Sequence, residues 1–302
     1  MPESGSKPFR SGYVAIVGIP NVGKSTLMNS LVGEKLAIVS PKPQTTRNKI
    51  LGILSTDDMQ VVFLDTPGYL NPEYELHKKM LEFSRGALKE SDLILFIVDM
   101  SLSDLQPVHP ILLSHLDEVK KKPLIVIFNK VDKVRPEQEE KCVAFYKAQL
   151  PFAADYFSVS AKTGTNLELL TAAIQQRLPE HEPFFPLDDL SSHPVRFFIE
   201  EIIREKIFFQ YDKEIPYSTA VQVIQYEENE SGVDKIEAEI IVERSTQKMI
   251  LIGRNASKLK ELGRTSREEI EKLVGKQVYL KLFVKVREKW RRNESHLKSF
   301  GY

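Results

Sequence analysis

The sequence predicts an α/β domain, a mostly parallel sheet with helices on both faces, followed by a smaller α+β domain. Three observations predict it. Apolar runs of strand length alternate with helical stretches from Gly12 to about Leu178, as in sheets whose parallel strands are joined by helices. A loop rich in turn-forming residues, Gly18-Ile19-Pro20-Asn21-Val22-Gly23-Lys24-Ser25, sits where the first run meets the first helical stretch. Pro179, Pro183, Pro186 and Pro194 then interrupt the chain, and the pattern beyond them changes. The division read from this is a first domain over 11–180, a Pro-rich linker over 181–194 and a second domain over 195–302.

Each element follows from its local pattern. The first strand is expected at Tyr13–Gly18, with a helix from Ser25 to Leu31 behind the glycine loop. Further strands are read at Gln60–Asp65, Asp92–Asp99, Pro123–Asn129 and Asp155–Ser160. In the second domain Val195–Phe209 has helical spacing, with Phe198, Ile202 and Phe209 as its apolar positions. Two alternating strands, Ser218–Tyr226 and Lys235–Val242, precede an apolar run read as a short strand, Lys248–Ile252. Two helices, Ala256–Leu262 and Ser266–Leu273, lead to a last strand, Gln277–Val286.

Composition narrows the classes of function. A length of 302 residues allows about two domains, each large enough for its own core. The single cysteine, Cys142, excludes an internal disulfide framework and is read as a packed thiol. Met1 to Arg10 is polar, without the apolar segment of a leader, and no apolar run approaches membrane-spanning length. A cytoplasmic protein is therefore expected. The six histidines are scattered, without a metal-ligand cluster or a Ser-His-Asp arrangement. Net charge is zero, yet residues 250–302 carry 14 Lys and Arg against 6 Asp and Glu. That surplus of 8 points the C-terminal part towards a polyanion.

The loop at 18–25 has the spacing of a P-loop, which makes the first domain an α/β P-loop NTPase. Its glycines let the backbone curl, so that N–H groups from Gly18, Asn21, Val22, Gly23, Lys24, Ser25 and Thr26 can ring phosphates at a helix N-terminus. Lys24 would reach the β and γ phosphates and Ser25 would ligate Mg2+. Asp65-Thr66-Pro67-Gly68 closes an apolar strand. A carboxylate there can reach Mg2+ through water, and the Gly68 N–H can meet the γ-phosphate. Between them lies Gln44-Thr45-Thr46-Arg47. Thr46 is favoured over Thr45 to complete the Mg2+ shell while a γ-phosphate is present, although spacing does not decide between them. Lys24, Thr46, Asp65 and Gly68 are thus the candidate catalytic set. Asn129-Lys130-Val131-Asp132 chooses the base: the Asp132 carboxylate accepts from the N1–H and amine of guanine, whereas adenine offers the opposite pattern. Asn129 would brace the loop, Lys130 would lay its stem along the base, and Ser160-Ala161-Lys162 would offer a backbone N–H to the guanine oxygen. An ATP-using kinase conflicts with Asp132. Tyr69 follows Gly68 where signalling GTPases place a glutamine that orients water, so slow hydrolysis is expected. Arg47 and Arg85 could serve as arginine fingers, but exposed side chains are expected at both.

Taken together, Gly18–Ser25, Thr46, Asp65–Gly68, Asn129–Asp132 and Ser160–Lys162 resemble the translation-factor-like GTPases that lack a catalytic glutamine. The second domain narrows the resemblance. Ile252-Gly253-Arg254-Asn255-Ala256-Ser257-Lys258-Leu259 occupies the place of the Gly-x-x-Gly loop of a type II KH domain, which clamps about four nucleotides. Leu282 to Arg287, Trp290-Arg291 and the ending Phe300-Gly301-Tyr302 are similar to the C-terminus of the bacterial Era family. Ala256 departs from the second loop glycine. A methyl group is tolerable there if φ is negative, and tolerance is expected because the next helix starts at that point. Phosphate contacts are expected from Arg254, Lys258 and Lys260 beside Gly253 and Asn255, with weaker claims for Arg264 and Lys285. Trp290 is read as a packing anchor. The resemblance implies a GTP/GDP switch that binds 16S ribosomal RNA near its 3′ end and assists maturation of the 30S subunit. It also implies a potassium ion at Asn21, peripheral attachment to the inner face of the membrane and a monomeric state. The alternative is an RNA-binding assembly chaperone in which bound GTP is mainly structural.

Overall fold

The first apolar run forms β1 (Arg10–Val17) in the computed structural model, which describes residues 8–118, 121–229 and 232–302. The reading of a polar start falls on residues 1–10, and 1–7 of these lie outside the described residues. Val14, Ala15, Ile16 and Val17 are wholly buried, as expected of a central strand covered on both faces. After β1 come α1 (Lys24–Val32), β2 (Ile50–Ser55), β3 (Met59–Asp65), α2 (Glu75–Glu90) and β4 (Leu93–Asp99). Then follow α3 (Pro110–Glu118), β5 (Leu124–Asn129), α4 (Pro136–Gln149), β6 (Asp155–Ser158) and α5 (Leu167–Arg177). The sheet order is β2-β3-β1-β4-β5-β6, parallel except for β2, which pairs antiparallel with β3. Strand β2 was absent from the sequence reading. It forms a hairpin whose turn is closed by the Thr56 N–H on the Met59 carbonyl at 2.8 Å.

The chain divides into two compact units. The first runs through Ala37 and continues as Thr46–Asn71 and Met80–Ser192; the second comprises Ile38–Thr45, Pro72–Lys79 and His193–Tyr302. The Pro-rich stretch up to Ser192 is fastened to the first unit. Buried Gln60 accepts from the Phe184 and Phe185 N–H groups at 2.7 and 3.0 Å and donates to the Phe185 carbonyl at 2.9 Å. Farther along, the Leu190 carbonyl accepts the Ile53 N–H of β2 at 2.8 Å.

The second unit holds α6 (Val195–Gln210), β7 (Ala220–Glu227), β8 (Asp234–Val242), α7 (Ser245–Ile252), α8 (Ser257–Val274), β9 (Val278–Val286) and α9 (Glu294–Ser299). Its sheet is β7-β8-β9, antiparallel and then parallel. Three expectations are corrected here. The run read as a strand at 248–252 is part of α7: four apolar residues, Met249 to Ile252, have no period of their own, and Gln247 Oε1 fixes the helix start by accepting from the Glu243 and Arg244 N–H groups at 3.0 and 3.1 Å. The two helices read at 256–273 are one, because buried Leu262, Ser266 and Ile270 form an unbroken i, i+4, i+8 stripe through Gly263. On α6 the core face is Ile199, Ile203 and Ile207, while Phe209 is 56% exposed.

Candidate functional site

The loop between β1 and α1 is held by its neighbours before any ligand arrives. Gly23 has φ +99°, and a Cβ there would lie 2.3 Å from Asn129 Nδ2, so only glycine fits. Asn129 Nδ2 donates to the Val22 carbonyl at 2.8 Å, and Asn129 Oδ1 accepts the Ala161 N–H at 3.0 Å. No side chain caps the start of α1, and its first turn carries no acid. Its leading N–H groups, Thr26 among them, and the positive end of its dipole are therefore left for an anion. Lys24 is buried, donating to the carbonyls of Ile19 at 2.9 Å and Gly18 at 3.3 Å. Burial pulls its ammonium down to about 8, with Asp65 acting in the opposite direction.

Beside Lys24 three oxygens converge. Asp65 Oδ2 accepts from Ser25 Oγ at 2.6 Å and from Thr46 Oγ1 at 3.4 Å, and the two hydroxyls are 2.9 Å apart. The other oxygen, Asp65 Oδ1, is buried without a hydrogen-bond partner. Burial pushes the carboxyl up to about 6 although Lys24 and both hydroxyls favour its anion. An orphaned carboxylate oxygen among hydroxyls, next to the uncapped start of α1, fits a hard divalent cation. Thr45 turns elsewhere, its hydroxyl donating to the Lys42 carbonyl at 2.7 Å. Gly68 lies against the loop, where a Cβ would come 2.6 Å from Pro20 N, and the next N–H, of Tyr69, bonds the Gly18 carbonyl at 3.1 Å. The Tyr69 ring is buried, with its hydroxyl 3.1 Å from His115 Nδ1. Arg47, expected on the surface, is buried at 3% exposure in the segment next to Thr46. Arg85 is about half exposed and forks onto Glu118 at 2.9 and 3.0 Å.

The base end is assembled from the ends of β4, β5 and β6. Exposed Asp132 is steadied by Ser160 Oγ, which donates to its Oδ1 at 2.6 Å. Lys130 has φ +69°, and its ammonium donates to the Asn21 carbonyl at 2.9 Å and to Asp99 Oδ2 at 2.5 Å. Asn21, also at positive φ, and Lys162 are exposed. Asp99 was not among the candidates, although it ends an apolar strand as Asp65 does.

In the second unit the segment 253–256 joins α7 to α8. Gly253 has φ +70°, and a Cβ would meet Lys258 Cγ at 2.8 Å. Ala256 overturns an expectation: its φ is +59°, beside Asn255 at +52°, because the loop turns left-handed twice before α8 begins. Arg254, Asn255, Lys258 and Lys260 are exposed, and the Lys258 ammonium lies 5.7 Å from the centre of the Tyr211 ring. Arg264 is engaged by Glu261 and Glu268, and Lys285 by Glu239. Trp290 is wholly buried and donates to the Ser218 carbonyl at 2.9 Å.

One end of the first site suits polyphosphate and Mg2+, the other suits the hydrogen-bonding edge of guanine, and the class this defines is a P-loop GTPase. A family model described as 50S ribosome-binding GTPase matches residues 13–130, and one described as KH domain matches 214–291. The GTPase Era of Lacticaseibacillus paracasei is 45% identical over 97% of this chain and 96% of its own, and that of Caldanaerobacter subterraneus subsp. tengcongensis 41% over 97% and 98%. Among solved structures, a variant of Aquifex aeolicus Era bound to GDP·AlF4− superposes with a TM-score of 0.91 at 38% identity, covering 97% of this chain and 99% of that one. The structure of Era with MgGDPNP and nucleotides 1506–1542 of 16S ribosomal RNA matches with the same score, identity and coverage. This chain belongs to the Era GTPase family, and it hydrolyses GTP to GDP and phosphate.

Proposed function

We infer that the protein is a GTP-driven switch that grips 16S ribosomal RNA near its 3′ end and assists maturation of the 30S subunit. One observation carries the reading: the same chain joins the Ser25–Thr46–Asp65 oxygen cluster beside buried Lys24 to exposed basic residues, Arg254, Lys258 and Lys260, in the 253–256 loop and the first turn of α8 on an α+β domain. A relative of the same architecture holds MgGDPNP and 16S RNA together, which supports the extension to this chain.

In this reading Ser25, Thr46 and Asp65 hold Mg2+, which when bound neutralises charge on the β and γ phosphates. Lys24 and the N–H groups of the loop and of Gly68 position the γ-phosphate, while Asp132, steadied by Ser160, accepts from guanine. Coupling to RNA runs through the segment before Thr46. Residues 38–45 belong to the second unit, where the Lys42 ammonium donates to Asp212 Oδ1 at 2.8 Å and to the Tyr211 carbonyl at 2.5 Å. A γ-phosphate that fixes Thr46 would thereby change the restraint on Lys42, four residues earlier. Potassium at Asn21 belongs to the same proposal, and faster hydrolysis in potassium than in sodium is its expected sign. Cytoplasmic residence as a monomer, with peripheral attachment to the inner membrane face, completes it.

The test is crosslinking of the protein to cellular RNA when loaded with a non-hydrolysable GTP analogue or with GDP. Crosslinks at the 3′ end of 16S RNA that are enriched with the analogue are expected; crosslinks elsewhere, or equal in both states, overturn the reading. Burial of Tyr69 against His115 favours a second reading, the assembly chaperone, because no side chain at that position reaches an attacking water. Normal subunit maturation in cells carrying only Asp65→Asn, with hydrolysis abolished, would decide for the chaperone.

A further inference from the structure

Lys130 is a long, flexible side chain asked to form one wall of a base pocket, and the structure shows what stops it from wandering. Its ammonium is anchored at two points, the Asn21 carbonyl at 2.9 Å and Asp99 Oδ2 at 2.5 Å. Asp99 is itself fixed. It ends β4 in register with Asn129 of β5, it is only 7% exposed, and its other oxygen accepts from the Ser101 N–H at 2.9 Å and the Ser101 hydroxyl at 2.6 Å. Each carboxylate oxygen therefore has a set task, and neither is directed at the oxygen cluster around Asp65.

We propose that Asp99 is a positioning residue for guanine: it stretches the Lys130 stem between a backbone held at φ +69° and an immobilised ammonium, so that an apolar wall exists before the nucleotide arrives. An unrestrained lysine loses rotamer freedom on being ordered, and a pocket that has already met this cost binds more tightly and releases more slowly. The same ion pair draws the ammonium onto Asn21, tying the base pocket to the phosphate loop. This proposal rests on the reading that Lys130 and Asp132 face the base.

The test is the rate of release of a fluorescent GDP from the full-length protein, measured for Asp99→Asn, Asp99→Glu, Lys130→Met and the Asp99→Asn/Lys130→Met pair. Asp99→Asn keeps shape and removes charge, and release about tenfold faster is expected, the equivalent of losing one charge-assisted hydrogen bond. Asp99→Glu restores part of the retention. The double variant releases no faster than Lys130→Met alone, because Asp99 acts only through the lysine. Additive effects in the double variant, or wild-type release from Asp99→Asn while Lys130→Met is fast, overturn the proposal and leave the base-site reading standing. Wild-type release from Lys130→Met overturns both.

Discussion

At the scale of single residues the site is poised by two displaced protonation equilibria. Asp65 titrates near 6 instead of near 4 because burial penalises its anion, and Lys24 near 8 because burial penalises its cation. A carboxyl raised on folding favours the folded state while it is protonated, and that contribution is lost as pH rises from the ordinary carboxylate range through about 6. Binding Mg2+ and nucleotide needs the opposite form. Near pH 6 binding of Mg·GDP should therefore release a proton from Asp65, and its affinity should fall as pH drops below about 6. Near pH 8 the phosphates should instead draw a proton onto Lys24. Calorimetry in buffers of different ionisation heat reads both signs, and a heat independent of buffer from pH 5 to 9 would contradict them. Asn129, Lys130 and Asp132 were legible in the sequence because their spacing alone ties them to a strand end. Asp99 and the burial of Arg47 were not, since each depends on a neighbour distant along the chain or on how a loop folds back.

Elements show where local pattern suffices and where it fails. Strands β1, β3, β4 and β5 read directly, because runs such as Val61-Val62-Phe63-Leu64 are buried on both faces and bounded by polar residues. Helix α7 did not, because its apolar run is shorter than two helical turns and its start depends on one glutamine side chain. The loop it enters is strained: alanine at φ +59° costs about 1 kcal/mol relative to glycine. Ala256→Gly should accordingly stabilise the protein by no more than about 0.5 kcal/mol after the greater freedom of unfolded glycine is counted. It should also tighten RNA by about threefold, which is roughly 0.7 kcal/mol. Thermal melting and an RNA titration check the two effects, and a lowered midpoint would show that the methyl group is useful where it stands.

For the molecule as a whole, two folds were visible in the pattern of runs, glycines and prolines, and with them the candidate residues of two sites, but the course of the chain between them was not. Prolines signal only that regular structure stops. What the segment after them does depends on Gln60, a buried polar residue near the start of β3, whose side-chain oxygen is satisfied by the backbone N–H groups of Phe184 and Phe185. That arrangement dictates where the halves can be parted. A polypeptide ending at Glu180 would keep every nucleotide-contacting candidate yet strand the buried Gln60 side-chain oxygen and bare the outer edge of β2, inviting sheet-to-sheet aggregation. One ending at Ser192 would retain its selvedge, and it should stay dispersed on a sizing column where the shorter piece precipitates.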